Sequence, residues 1–279
     1  MAAPADDSAA MPSTVARHDA SIPVLTLGPL REGVLQRRYK RFLADVELDD
    51  GTVVTAHCPN TGPMTGVLRP GGRVRLRHDP SPHRKLAWTW EQAEVDGAQG
   101  QPVWVGINTA LPNRLVRATI EAGCLRPWLG PIASIRPEVP YGSGRRSRID
   151  LLLTPAAEAA DPRPIYLEVK NTTWTDGSLA LFPDTVTERG QKHLLELIDL
   201  LPDARAVLVP CLSRGDVDRF APGDSADPRY GELFRQARAA GVEVRPCRYE
   251  LSRQAVAWRG LAACLDRQPV DRQAAGRAP

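Results

Sequence analysis

The amino-acid sequence predicts a small β-barrel followed by an α/β domain. Three observations lead there. From about Pro23 to Trp104 short apolar runs alternate with turn residues and no helical period appears. Helical spacing first appears at Leu111, Leu115, Val116 and Ile120, and beyond it strand-like and helix-like segments alternate. The 279 residues exceed the usual length of a single domain, so two fit.

In chain order, residues 1–22 are rich in Ala, Ser, Pro and Asp and read as a disordered tail. The barrel is placed at 23–107. Its strands are read at Val34 to Leu48 and Thr52 to His57, joined by the Asp49-Asp50-Gly51 turn, then at Arg73 to Arg77, Leu86 to Trp90 and Val103 to Ile107. The α/β domain is placed at 108–250. Its first helix takes Asn113 as N-cap, with Asn108 or Thr109 serving if it starts earlier. Strands follow near Ile132 to Pro140, Ser147 to Leu153 and Pro164 to Lys170. A helix capped by Thr185 and Glu188 comes next, then strand Arg205 to Pro210, helix Pro228 to Ala240 and strand Val242 to Pro246. Residues 251–279 are expected to be a largely flexible extension.

Composition narrows the class. A hydrophobic share of 42% and a charged share of 25% fit a soluble globular protein, and no apolar run approaches the roughly 18 residues of a membrane helix. The N-terminus lacks the basic start and apolar stretch of a secretory signal. Five scattered cysteines without a CxxC pair suit reduced thiols in a cytoplasm and argue against zinc. Net charge is only +3, but from Arg31 to Lys85 eleven Lys/Arg stand against six acids, so the barrel carries the basic surface. In RVRLR the alternation sets Arg73, Arg75 and Arg77 on one face and Val74 and Leu76 on the other. With Arg38, Lys40, Arg41 and Lys85, and with Tyr39, Phe42, Trp88 and Trp90 interleaved, this stripe suits a phosphate backbone and unpaired bases.

The chemistry concentrates further along. Asp150 lies in the apolar run Ile149 to Leu153, and Glu168-Val169-Lys170 ends the run Ile165 to Val169. On a strand Glu168 and Lys170 share one face. A carboxylate interrupting an apolar run is costly unless it has a partner or a metal. If the neighbouring strand brings Asp150 alongside, two carboxylates can hold Mg²⁺ or Mn²⁺ through oxygen, and Lys170 can hold a phosphate or a water. The next helix displays Glu188, Arg189, Gln191, Lys192 and His193, of which Gln191 and Lys192 in the first turns can reach a phosphate. A Cys/His/Asn nucleophilic set from His57, Cys58 and Asn60 is disfavoured, because adjacent strand residues point to opposite faces. Asn60 to Pro63 reads instead as a turn, placed against the pocket.

Several blocks resemble the sugar fermentation stimulation protein A family: RYKRFLADV from Arg38, HCPNTG from His57 with MTG from Met64, SRID from Ser147, EVK from Glu168, FPD from Phe182 and TERGQKH from Thr187. The match runs over roughly residues 27–250. It implies an OB-like barrel followed by a PD-(D/E)xK nuclease-like domain with a mixed sheet, DNA binding that is weakly sequence-specific, and a motif falling on Asp150, Glu168 and Lys170, with Glu138 as a further acid. Thr172 and Trp174 stand where the family pattern looks aliphatic, which bears on substrate shape and leaves the fold untouched. Two functions follow as expectations: a DNA-binding regulator of sugar metabolism that keeps the metal site, or a Mg²⁺/Mn²⁺-dependent nuclease.

Overall fold

A computed structural model describes residues 21–142, 144 and 146–269. Of the expected tail at 1–22, residues 1–20 lie outside these residues, as does the end of the chain from 270, while Ile22 already belongs to a strand. No helix among them is long and apolar enough to cross a membrane.

The first unit is a barrel of six strands, β2 (Leu30–Tyr39), β3 (Leu43–Leu48), β4 (Val53–His57), β5 (Arg73–His78), β6 (Trp88–Asp96) and β7 (Pro102–Gly106). Its order is β4-β3-β2-β5-β6-β7, and β4 also pairs in parallel with β6 through Ala56↔Trp88 and His57↔Thr89. That pairing closes a ring of five strands, β2 to β6, and β7 is added beside β6. Leu35, Val46, Leu76, Trp90 and Val105 fill the interior. The Asp-Gly turn between β3 and β4 forms as expected, with Gly51 in the left-handed region (φ 79°). The single strand expected from Val34 to Leu48 is in fact two. Lys40 and Arg41 take positive φ (48° and 66°), and the Arg38 guanidinium donates to Arg41 O at 2.6 Å, which holds a turn that no glycine announces.

The second unit is built on an eight-stranded mixed sheet. Its order is β1 (Ile22–Thr26), β17 (Ala255–Leu261), β16 (Cys247–Leu251), β13 (Arg205–Leu212), β10 (Ile165–Thr172), β9 (Ser147–Pro155), β8 (Ile132–Tyr141), with β15 (Glu243–Val244) beside β13. Helices α1 (Leu111–Glu121) and α2 (Arg126–Leu129) cover one face, where Leu115, Leu167, Val209 and Tyr249 are buried. Helices α3 (Glu188–Asp199) and α4 (Pro228–Ala240) cover the other, over Leu194, Leu208 and Phe234. A small sheet, β11 (Trp174–Asp176), β12 (Leu179–Phe182), β14 (Arg219–Pro222) and β18 (Ala263–Cys264), was not expected.

Both ends of the domain scheme need correction. β1 is no barrel strand: it pairs antiparallel with β17, and Val24 and Leu25 pack on the α1 side of the large sheet. The stretch from 251 is ordered as far as Cys264, because Val256 and Trp258 alternate into that same core. Two helix caps also shift. Helix α1 starts at Leu111, with Asn108 Oδ1 accepting from Ala110 N at 3.0 Å, so Asn113 is free for another task. Helix α3 is capped by Thr187, whose hydroxyl accepts from Gly190 N at 3.1 Å, two residues later than the Thr185 box.

The units meet closely. Gly106 N donates to Ser213 O at 2.8 Å, and a Cβ on Gly106 would stand 2.9 Å from Leu251. Gln92 Nε2 donates to Ser252 O at 3.0 Å.

Candidate metal centre

Strand β10 runs between antiparallel β9 and parallel β13. The β9–β10 ladder ends at Leu167↔Leu151, so the next step sets Glu168 opposite Asp150. There the Asp150 carboxylate replaces the ladder: Oδ2 accepts from Val169 N at 2.7 Å, and Oδ1 accepts from Asn113 Nδ2 of α1 at 2.8 Å. Asn113, expected as a helix cap, orients an acid instead.

Glu168 is almost fully buried, at 2% exposure. Its Oε1 accepts from Lys170 Nζ at 2.7 Å and from His193 Nδ1 of α3. Arg189 Nε donates to His193 Nε2 at 3.4 Å, which assigns the imidazole proton to Nδ1. Glu168 Oε2 has no hydrogen-bond partner among the described residues. Buried carboxylate oxygens rarely go without one.

The two acids are driven apart electrostatically. Burial, with the Glu168 charge added, pushes the Asp150 carboxyl up to about 6 against the Val169 and Asn113 donors. Burial pushes Glu168 up as well, but Lys170 and His193 outweigh it and hold that carboxyl below its usual value. Opposed shifts of this kind in neighbouring acids mark groups with different roles.

More polar atoms crowd the same wall. Ser147 Oγ donates to Glu196 Oε1 at 2.7 Å, and Lys192 Nζ donates to Ser147 Oγ at 3.0 Å. Glu196 Oε2 and the hydroxyls of Tyr141 and Tyr230 are buried without partners among the described residues. Burial, then the charges of Glu168, Glu196 and Asp150, raises the Tyr141 phenol, so it stays neutral.

This donor set is made of oxygen and fits a hard divalent cation through Asp150 and the unused Glu168 oxygen. No group of three His, Cys, Asp or Glu suited to a metal exists among the described residues. The side chains would therefore supply two ligands, and the remaining positions of such an ion would fall to backbone, water or substrate oxygens, as Mg²⁺-type sites allow.

Of the residues singled out from sequence, Asp150, Glu168 and Lys170 come together, while Lys192 bonds Ser147 and pairs with Glu196. Gln191 does not join them: its Nε2 donates to both oxygens of Asp227, the N-cap of α4, at 3.0 Å, tying two helix starts together. Glu138 has positive φ (54°) and an exposed side chain, and makes no hydrogen bond or ion pair to either acid.

The arginine stripe lies on one face as expected but is spent internally. Arg73 pairs with Glu32 and Glu94, Arg77 with Glu91 and Asp79, and Arg75 with Glu32 while lying over the Trp104 ring at 3.6 Å. Arg38 donates to Asn60 O and Gly62 O, and Arg41 to Thr61 O, so these two brace a loop. Lys40 and Lys85 are exposed. Cys58 is fully buried, and burial raises its thiol, which removes it as a nucleophile.

His193, Glu196, Ser147, Tyr141 and Tyr230 were missed as site residues. For His193 a signal existed: it stands four residues before Leu197 and one before Leu194, on the buried stripe of α3.

Comparison with known proteins agrees with this architecture. The family model described as the SfsA N-terminal OB domain matches residues 37–107, and that described as the sugar fermentation stimulation protein RE domain matches residues 110–255. The chain is 75% identical over 238 residues to the sugar fermentation stimulation protein homolog of Parasynechococcus marenigrum, covering 85% of this chain and 94% of that one. A homolog of the same name from Synechococcus sp. strain CC9605 is 76% identical over 237 residues, covering 85% and 93%. The solved structure of Pyrococcus furiosus SfsA in complex with Ca²⁺ matches with a TM-score of 0.74 at 28% identity, over 88% of this chain and 99% of that one.

Proposed function

The chain belongs to the sugar fermentation stimulation protein family, and from its paired carboxylates we propose that it is a divalent-metal-dependent nuclease with PD-(D/E)xK-like chemistry. The observation that carries this reading is the meeting of Asp150 and Glu168 on adjacent strands, with one buried Glu168 oxygen unused and Lys170 at hydrogen-bond distance. The related structure is a complex with Ca²⁺, which supports an oxygen-seeking divalent cation as a ligand of this chain.

Asp150 and Glu168 would hold Mg²⁺ or Mn²⁺. Such an ion, when bound, stabilises charge on a phosphate and lowers the pKa of a water. The chain's own groups do the rest. Val169 N–H and Asn113 keep the Asp150 carboxylate oriented. Lys170 has three donors, of which one is engaged by Glu168, and the others can hold the attacking water or a phosphate oxygen. His193 shares Glu168 with it and fixes the carboxylate from α3.

A second reading keeps the same pocket without cleavage, in a DNA-binding regulator of sugar metabolism. The ion pair of Lys170 with Glu168, which balances the ammonium charge inside the protein, favours it.

Mn²⁺ calorimetry with a labelled-DNA and labelled-RNA cleavage assay on the same preparations tests both. Wild type is expected to bind Mn²⁺ and cut, and Asp150→Ala with Glu168→Ala to do neither, as is wild type stripped with EDTA. Metal binding with every substrate uncut would leave the regulator, and no metal binding would sink the proposal.

A further inference from the structure

Immediately beyond Lys170 on β10 a cavity of about 230 Å³ opens between the barrel and the second unit, lined by Asn60, Thr109, Asn171, Trp174, Phe182 and Asp184 among others. Its volume is below the roughly 300–1,000 Å³ of a drug-sized site and suits one planar heterocycle.

The lining is fixed in advance. The Asn60 loop is clamped from outside: Arg38 holds Asn60 O at 2.8 Å and Gly62 O at 3.1 Å, Arg41 holds Thr61 O at 2.9 Å, and Thr109 Oγ1 donates to Pro59 O at 3.1 Å. Asn60 Oδ1 accepts from Gly62 N at 2.9 Å, which leaves its Nδ2 without a hydrogen bond among the described residues. Asn171 Oδ1 accepts from Ser213 Oγ at 3.0 Å, and its Nδ2 is likewise unused. Among the described residues Asp184 takes only a long 3.4 Å bond from Thr65 N. The Trp174 ring is seated against Gly223, where a Cβ would stand 2.8 Å from it, and Phe182 packs edge-on to Tyr230 at 5.4 Å.

Two amide donors, a carboxylate acceptor and two aromatic rings in one small cavity match the edge and face of a nucleobase, and the Asp184 carboxylate repels a phosphate. We propose that this cavity binds one unpaired base of a single-stranded nucleic acid, guanine in preference. Guanine offers adjacent N1–H and N2–H donors to the Asp184 carboxylate and the O6 acceptor to an asparagine amide. This specificity pocket deepens the nuclease reading and rests on it for the placement of the neighbouring phosphate at the Asp150 and Glu168 acids.

The test uses the full chain and five labelled single-stranded decamers that differ at one central position: dG, dA, dC, dT or an abasic site. Fluorescence anisotropy is read in Ca²⁺, with cleavage in Mn²⁺ followed separately. The dG decamer is expected to bind about tenfold more tightly than the abasic one. Asp184→Asn and Asn60→Ala are each expected to reduce that ratio to below about twofold, while Ca²⁺ affinity by calorimetry stays at the wild-type value. Trp174→Phe keeps a stacking face and is expected to retain the preference. Equal binding of all five decamers, no binding of any, or a preference that survives both Asp184→Asn and Asn60→Ala would overturn the pocket. A base preference without cleavage would overturn the nuclease reading alone, and cleavage without a preference would overturn the pocket alone.

Discussion

In β5 of the barrel Arg73, Arg75 and Arg77 alternate with apolar residues much as Glu168 and Lys170 do in β10, yet the two strands use their charges in opposite ways. Each β5 guanidinium meets carboxylates on β2 or β6 or in the following turn, and Arg75, 8% exposed, also lies over Trp104. Charge and hydrogen-bonding capacity are consumed there, as a structural network requires. Around β10 the balance is incomplete among the described residues: Glu168 keeps an unpartnered oxygen, Asp150 is held off its ordinary pKa, and Glu196, Tyr141 and Tyr230 have unsatisfied buried atoms. A basic count in the barrel therefore overstates its affinity for phosphate. The unbalanced cluster is where an added cation would be most stabilising in the nuclease reading, because burying such atoms without recompense is costly.

That contrast can be broken at its strongest point with Lys170→Ala. In the nuclease reading the cleavage rate falls by about 10²–10⁴-fold while Mn²⁺ affinity by calorimetry holds, since the lysine acts on water or phosphate. A loss of metal binding with the rate would make Lys170 a support for Glu168 only.

Arg75→Ala tests the other side. Removing it leaves Glu32 with Arg73 alone and the Trp104 ring with only the more distant Arg73 guanidinium, so unfolding in urea is expected to show about 2 kcal/mol of destabilisation with metal affinity unchanged. Weaker metal binding in this variant would show that the two regions are coupled.

A gentler probe is pH. The folded pKa of Asp150 is raised to about 6, so its contribution to stability is full below the unfolded carboxylate range and is lost as pH rises through about 6. Glu168 is lowered, and its contribution is present above its unfolded value and lost on further acidification. Between pH 5 and 7 Asp150 therefore dominates this pair, and metal-free protein is expected to lose about 1–3 kcal/mol from this site as pH rises. Divalent metal reverses the slope, because the ion competes with the proton, and its affinity falls up to about tenfold per pH unit below 6. Thermal melts across pH with and without Mn²⁺ read both signs, and parallel curves would contradict a metal held by Asp150.

Much of the fold was legible because it depends on local alternation. Apolar and charged residues two apart placed β5 and β10, and helix α4 runs from Pro228 to Ala240 as its spacing indicates. Strand β1 was not legible as part of the large sheet, since Ile22–Thr26 finds its partner in Ala255–Leu261, more than two hundred residues away. The turn at Lys40 and Arg41 escaped notice for a similar reason: the Arg38 guanidinium and the 60–62 loop hold it, whereas its own residues favour extended chain.

By itself the sequence determined the two-unit order and set Glu168 and Lys170 on one face of a strand, because side chains alternate along extended chain, whereas the pairing of β9 with β10 brought Asp150 alongside. Only the tertiary structure decided which charges remain available. Whether an arginine meets Glu32, a glutamine meets Asp227 or a glutamate oxygen meets nothing depends on which strands and helices become neighbours, and electrostatic balance is a property of those neighbours.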